Sequence, residues 1–68
     1  MNLYKVTLTA PHRATRHDRA CGIDGRQAEG RAITKWYRDY MFLGYVPDEL
    51  RGVAATATLI EITTHDDE

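Results

Sequence analysis

Apolar and polar residues alternate without interruption along residues 3–10, LYKVTLTA. A period of two, with β-branched and aromatic residues, is typical of a strand that has one solvent-facing side. Pro11 cannot donate a backbone hydrogen bond to a neighbouring strand and ends the segment. The side predicted to be buried carries Tyr4, Val6, Leu8 and Ala10, opposite Lys5, Thr7 and Thr9.

Residues 53–63, VAATATLIEIT, form a second alternating segment. One side of this strand is predicted to carry Val53, Ala55, Ala57 and Leu59. Ile60 and Ile62 then fall on the opposite side, so the alternation shifts by one position. Either a β-bulge near residues 59–60 restores the pattern, or a dimer partner covers both sides of the strand there.

Between these strands the apolar residues recur with the period of a helix of about 18 residues. Asp24 followed by Gln27 fits a capping box at its start, and Gly44 supplies its end. Gly30 costs about 1 kcal/mol relative to alanine in mid-helix, and it permits close approach either to the sheet or to a partner. The stripe predicted to pack on the sheet is Ala28, Ala32, Ile33, Trp36, Tyr40 and Leu43.

Two further segments are less regular. Residues 14–23, ATRHDRACGI, are predicted to be an edge strand paired with the first strand, because edge strands tolerate charge. Residues 46–52 are predicted to be a loop with one helical turn at 47–50, where proline suits the first position. Leu50 is expected to close the open end of the core.

These elements predict an α+β fold, a two-layer β-β-α-β sandwich. Its three-stranded antiparallel sheet has the order 2-1-3, with one helix packed on one face. Residues 1–64 are expected to form a single domain. The acidic residues 65–68, HDDE, are expected to be a disordered tail.

Composition limits the compartment and the class of protein. The 68 residues are 43% hydrophobic and 28% charged, which is ordinary for a globular domain. Cys21 is the only cysteine, so no disulfide can form within the chain, and a reducing compartment such as the cytoplasm is expected. No apolar run approaches the roughly 20 residues that span a bilayer, so no membrane is expected among the partners.

The net charge of −1 conceals an uneven distribution. Residues 1–45 carry eight lysines and arginines against four acids, whereas residues 46–68 carry one arginine against six acids. On the predicted helix, basic residues recur on the outer side and share it with an aromatic residue. These candidate partner-binding residues are Arg31, Lys35, Arg38 and Phe42. Arginine mixed with exposed aromatic residues is enriched at protein interfaces, although a solvated helix face with a Lys35–Asp39 ion pair is the plainer interpretation.

A second basic group lies on or near the predicted hairpin, as Arg13, Arg16, Arg19 and Arg26. If this hairpin adjoins the helix stripe, seven cations would be available to nucleic-acid phosphates. Direct nucleic-acid binding is therefore the alternative to protein docking. A homodimer through the last strand is compatible with either function.

Catalysis and metal binding are not favoured. His12, His17, Cys21 and Asp24 are possible ligands, but a strand would hold His17 and Cys21 about 13 Å apart, too far for one ion. Cys21 lacks an oriented base and is expected to be a small buried cysteine at a strand end. The sequence thus predicts no catalytic residue, no metal ligand and no cofactor, and indicates that the protein is not an enzyme.

The opening MNLYKVTLTAPHRAT followed by DGRQAEGRAITKWYRDYM resembles the small accessory proteins of bacteriophages and prophages that act in host takeover or anti-defence. The resemblance covers most of the chain and is one of style, so no functional residue follows from it. It implies a non-catalytic protein that binds and modulates a bacterial host protein or complex. Partners of that kind include an RNA polymerase subunit, a nuclease and a CRISPR surveillance complex.

Overall fold

The computed structural model describes residues 1–62. Five elements follow along them: β1 (Asn2–Thr9), β2 (Arg16–Gly22), α1 (Gly25–Phe42), a 3₁₀ turn (Pro47–Leu50) and β3 (Ala54–Ile62). The strands form an antiparallel sheet in the order β2-β1-β3, and α1 packs on one of its faces. The predicted α+β fold and sheet order are confirmed. The predicted tail, 65–68, lies outside the described residues.

The core lies between the central strand β1 and the inner side of α1. Trp36, in the middle of α1, is 1% exposed, and its ring centroid lies 4.6 Å from that of Tyr40. Leu50 is also 1% exposed and closes one end of the core, as predicted. The buried residues are Tyr4, Val6, Leu8, Ala28, Ala32, Trp36 and Leu50. The core is small because three strands and one helix enclose little volume.

Both ends of α1 follow from local sequence. Asp24 accepts a hydrogen bond from the backbone N–H of Gln27 at 2.9 Å, and the Gln27 side chain accepts one from the N–H of Ile23 at 2.9 Å. These contacts satisfy two N–H groups at the helix start. At the other end Gly44 takes a left-handed conformation with φ of 106°, which suits glycine and stops the helix. The predicted length of 18 residues is confirmed.

The pairing of β1 with β3 contains an irregularity near residues 59–60. Tyr4 pairs with Leu59 and Leu3 pairs with Glu61, so Ile60 has no partner in register. This extra residue confirms the predicted β-bulge and explains why the alternation shifts there.

The prediction that Leu43 belongs to the core stripe is wrong, since Leu43 is 71% exposed. It is the C-cap residue, one position beyond the end of α1, and the chain reverses immediately after it. Tyr45 then folds back, with its N–H bonded to the carbonyl of Tyr40 at 3.2 Å and the two ring centroids 5.5 Å apart. Tyr45 therefore supplies the apolar contact that was expected from Leu43.

The expectation of a buried Cys21 is also wrong, because this cysteine is exposed. Cys21 pairs with Leu3, one of the β1 positions that alternate with the buried Tyr4 and Val6. Paired residues of an antiparallel sheet point to the same side, so Cys21 lies on the face that α1 leaves uncovered.

Candidate functional site

The residues predicted to bind a partner lie in one row on the outer side of α1. Arg31, Lys35, Arg38 and Phe42 are all exposed, and their spacing of four, three and four residues keeps them on one side of a helix. Eleven residues at about 1.5 Å each place the ends of the row about 16 Å apart. We call these four residues the outer row.

Among residues 1–62, no cation of the outer row forms an ion pair, although the Asp39 carboxylate lies near enough for Lys35 and Arg38 to help lower its pKa. The ion pair between Lys35 and Asp39 does not form. Asp39 instead accepts a hydrogen bond from Arg16 of β2 at 2.7 Å. Arg31 donates to the backbone carbonyl of Cys21 at 3.0 Å, a contact that leaves its charge uncompensated. Within the described residues no carboxylate lies within 4.0 Å of the outer row.

A shallow, open depression of about 490 Å³ runs beside the outer row. Gly30 lines it and is exposed, and a Cβ atom added there would meet nothing within 4 Å. The sheet therefore does not require glycine at this position, and close approach of a partner there stays a prediction. The depression is lined by Gln27, Gly30, Arg31, Thr34, Lys35 and Arg38.

Exposed apolar side chains gather where α1 ends. Phe42 is 90% exposed, and the residues on either side of it are exposed as well. We call this group the apolar tip: Met41, Phe42, Leu43 and Val46. Sequence reasoning identified Phe42 but missed Leu43 and Val46. The signal in the sequence was the apolar run MFLGYV, which surrounds the glycine that stops the helix. Residues beyond the last helical turn are not held against the sheet, so apolar side chains there stay exposed.

Arg13, predicted as a nucleic-acid contact, is instead bound within the fold. Its guanidinium carbon lies 4.4 Å from the ring centroid of Tyr45 and 5.8 Å from that of Tyr40. The same side chain donates to the carbonyls of His12 at 3.0 Å and Glu49 at 3.4 Å. These contacts hold the loop after α1 against the turn after β1.

Arg16 is bound within the fold as well. It faces α1 and lies between two carboxylates, with Nε 2.9 Å from Asp18 and Nη2 2.7 Å from Asp39. The hydrogen bond from Arg16 holds the pKa of the Asp39 carboxyl below its ordinary value of 3.8. The hydrogen bond with Asp39 likewise raises the pKa of Arg16.

The remaining two hairpin candidates do not extend the outer row. Arg19 pairs with Lys5 in register, so it lies on the face of the sheet opposite α1. Arg26 is exposed in the first turn of the helix. Because Arg13 and Arg16 are engaged and Arg19 faces away, the hairpin and the helix do not form a single surface of seven cations.

The outer edge of β3 bears on the predicted homodimer. Leu59, Ile60 and Ile62 are 47%, 47% and 61% exposed. The backbone N–H of Ala57 is bonded to a carboxylate oxygen of Glu29 from α1 at 3.0 Å. That side chain occupies a donor that a second strand would need at this point of the edge. The homodimer stays a prediction.

Residues 1–62 contain no group of three histidine, cysteine or acidic side chains placed to hold a metal ion. His12 lies in the turn after β1, with φ of 62°, and His17 lies on the uncovered sheet face. The four candidate ligands are therefore not gathered at one point. No helix within the described residues is both long and apolar enough to cross a bilayer.

Comparison with protein-family models, with curated proteins and with solved structures finds no match to this chain.

Proposed function

We propose that this protein is a non-catalytic binding module that docks an acidic surface of a partner protein through the outer row of α1. The observation that carries the proposal is Phe42, a 90% exposed aromatic side chain that continues a row of cations with no ion-pair partner among residues 1–62. A large apolar side chain left in water is a potential source of binding energy, about 1.5–3 kcal/mol when it becomes fully buried.

The composition of this surface supports a protein partner over a nucleic acid. Aromatic residues, methionine and arginine are enriched in the centres of protein interfaces, and a few such residues provide most of the binding energy. The apolar tip would enter a pocket of the partner, while Lys35 and Arg38 would face its carboxylates. Charge complementarity of this kind increases the association rate and orients the partner.

Gly30 supports close contact beside the row. A glycine in mid-helix costs about 1 kcal/mol relative to alanine, and here it gains no contact within the fold. A protruding side chain of the partner would fit the depression at this point, next to Arg31 and Thr34.

The resemblance to phage accessory proteins supports a bacterial host protein or complex, in the cytoplasm, as the partner. This part of the proposal rests on that resemblance alone. Docking would then modulate the host factor by sterically blocking the part of its surface that α1 contacts.

The test is capture of the partner from bacterial host lysate with purified wild-type protein and matched variants, read by quantitative mass spectrometry. Lys35→Glu/Arg38→Glu reverses two charges of the outer row, and Phe42→Ser removes the aromatic contact. Arg26→Glu is the control, because it reverses an exposed cation off the row, in the first turn of α1, where acidic residues are favourable.

We expect the wild type and R26E to capture the same protein. We expect both outer-row changes to reduce that capture at least about tenfold, as loss of an interface hot spot does. Thermal melting of each variant verifies that the fold is intact. Equal capture by all four proteins, or equal loss with R26E, would contradict the proposal.

Direct nucleic-acid binding remains the alternative, but its predicted site changes. Arg13 and Arg16 make their contacts within the fold, so they no longer support it. Arg19 still does, from the opposite side of the sheet.

A further inference from the structure

The uncovered face of the sheet carries two rows of polar side chains across all three strands. In the first row, Lys5 of β1 lies between Arg19 of β2 and Thr58 of β3. The second row, two residues further along β1, consists of His17, Thr7 and Thr56. Adjacent strands lie about 4.8 Å apart and the rows about 6.6 Å apart, so all six side chains fall within a small area.

Lys5 and Arg19 are directly opposite each other, which places two positive charges at a cross-strand pair. Like charges in this position destabilise a sheet. No described carboxylate shares their row. Asp18 pairs with the buried Val6 and therefore faces α1. Glu61 is on the uncovered face, but it pairs with Leu3, two residues before Lys5 along β1. Among residues 1–62, neither Lys5 nor Arg19 has an ion-pair partner within 4.0 Å.

The neighbours of this pair can donate hydrogen bonds to an anion. Thr56 and Thr58 are exposed, and Thr7 Oγ1 lies 3.2 Å from His17 Nδ1. Lysine, arginine and threonine side chains are the usual protein contacts to phosphate oxygens. The surface therefore has both the charge and the donors that a phosphodiester needs.

We infer that this uncovered face binds the phosphodiester backbone of a nucleic acid, with Lys5 and Arg19 neutralising phosphates and the threonines donating to their oxygens. Such contacts fix a strand on the protein without reading bases, so binding is independent of sequence. The site is separate from the outer row, because α1 covers the opposite face of the sheet.

Other occupants fit this face less well. A second copy of the same face would bring Lys5 and Arg19 against their own counterparts, which repel. A lipid surface would require apolar side chains to insert between headgroups, and the two rows contain none. A protein partner would require an apolar or aromatic anchor, which these rows also lack.

The first experiment measures binding of short labelled DNA and RNA, single- and double-stranded, by fluorescence anisotropy from about 50 to 200 mM salt. Lys5→Thr/Arg19→Thr removes both cations and keeps residues that favour strands. Lys35→Gln/Arg38→Gln removes two cations from the outer row and is the matched control. Lys5→Arg/Arg19→Lys keeps both charges.

We expect wild-type affinity to fall steeply with salt and to be insensitive to base sequence. K5T/R19T should bind about tenfold or more weakly at low salt, and its slope of log affinity against log salt should be smaller by about 2. The control and the charge-preserving variant should bind like the wild type. No binding of these nucleic acids at low salt, or loss with K35Q/R38Q but not with K5T/R19T, would overturn the inference. Anionic phospholipid vesicles are measured in parallel, and binding to them alone would overturn it as well.

A second readout uses the protein without ligand. Because the two cations repel each other, K5T/R19T should melt a few degrees higher than the wild type at low salt, and the difference should shrink as salt rises. A lower melting temperature for K5T/R19T at low salt would show that repulsion between Lys5 and Arg19 does not destabilise the sheet. It would overturn the argument that this pair lacks a counter-ion. This readout does not involve the helix, so it distinguishes failure of this site from failure of the protein-docking proposal.

Discussion

Residues 12–19 and the outer row of α1 each contain three cations, yet the fold uses them differently. In residues 12–19, Arg13 packs on tyrosine rings and Arg16 binds two carboxylates, so two of the three are engaged. On the outer row, only Arg31 makes a described hydrogen bond, and its acceptor is a backbone carbonyl. The comparison shows that the number of charges in a segment does not determine how many are free. What decides is whether the charged side chains face another element of the fold or the solvent.

The first prediction separates the two sides of α1 and has the largest expected effect. Trp36→Ala should abolish cooperative thermal unfolding measured by circular dichroism. Its expected cost of about 3–5 kcal/mol equals the net stability of a domain this small. Lys35→Ala, one position earlier, should change stability by less than about 0.5 kcal/mol. A cooperative transition near the wild-type midpoint for W36A would contradict the assignment of the core.

The second prediction compares two glycines, one at the end of β2 and one beside the outer row. A Cβ atom on Gly22 would lie 2.9 Å from the backbone N of Ala28 and the carbonyl oxygen of Asp24. Gly22→Ala should therefore cost about 1–3 kcal/mol, as overpacking does. Gly30→Ala should stabilise the chain by about 1 kcal/mol, because nothing lies within 4 Å of the added methyl group.

Chemical denaturation measures the free energy of unfolding of both variants. It should fall for G22A and rise for G30A. Destabilisation by G30A would show that the helix needs glycine there for a reason internal to the fold. A larger change, Gly30→Leu, should leave folding intact and weaken capture of a protein partner. Unchanged capture by G30L would remove Gly30 from the proposed docking surface.

The third prediction tests whether an arginine of residues 12–19 contributes more to stability than an arginine of the outer row. Arg13→Ala should destabilise the protein by about 1–2 kcal/mol, from the lost ring contacts and the lost hydrogen bond to Glu49. Arg38→Ala should stay within about 0.5 kcal/mol of the wild type. Equal melting temperatures for the two variants would mean that Arg13 is not held by Tyr40 and Tyr45.

The strands and the helix were predictable because each has a local period. The alternation in residues 3–10 places Tyr4, Val6 and Leu8 on one side, and these three are buried. The engagement of the arginines was not predictable in the same way. Arg16 meets Asp39 across 23 residues, and Arg13 meets Glu49 across 36, so neither contact appears in a short window.

The uncovered sheet face was predictable only in part. The polar side of β1 could be read from the sequence, but the pairing of Lys5 with Arg19 depends on where the hairpin turns. A turn centred on His12, directly after Pro11, gives this register, and His12 does adopt the positive φ of a turn. The sequence contained that signal. It fixes the register only when residues 14–23 are known to pair with β1.

The smallest expected effect concerns the ion pair between Arg16 and Asp39, which joins β2 to α1. The pKa of Asp39 is lower in the folded protein because Arg16 donates a hydrogen bond to its carboxylate, which favours the charged form. A carboxyl whose pKa falls on folding stabilises the protein fully above its unfolded value, near the ordinary 3.8, and loses that contribution as the pH falls through the folded value. Arg16, with a raised pKa, stays charged throughout this range.

Thermal melting from about pH 6 downwards should therefore show a higher melting temperature for the wild type than for Asp39→Asn at the higher pH. The two melting temperatures should converge as the solution becomes more acidic than the unfolded pKa. Asp48→Asn is the control, since Asp48 binds the exposed Arg51 within its own turn rather than joining two regions. A constant difference between wild type and D39N across the whole range would show that Asp39 acts through shape rather than charge.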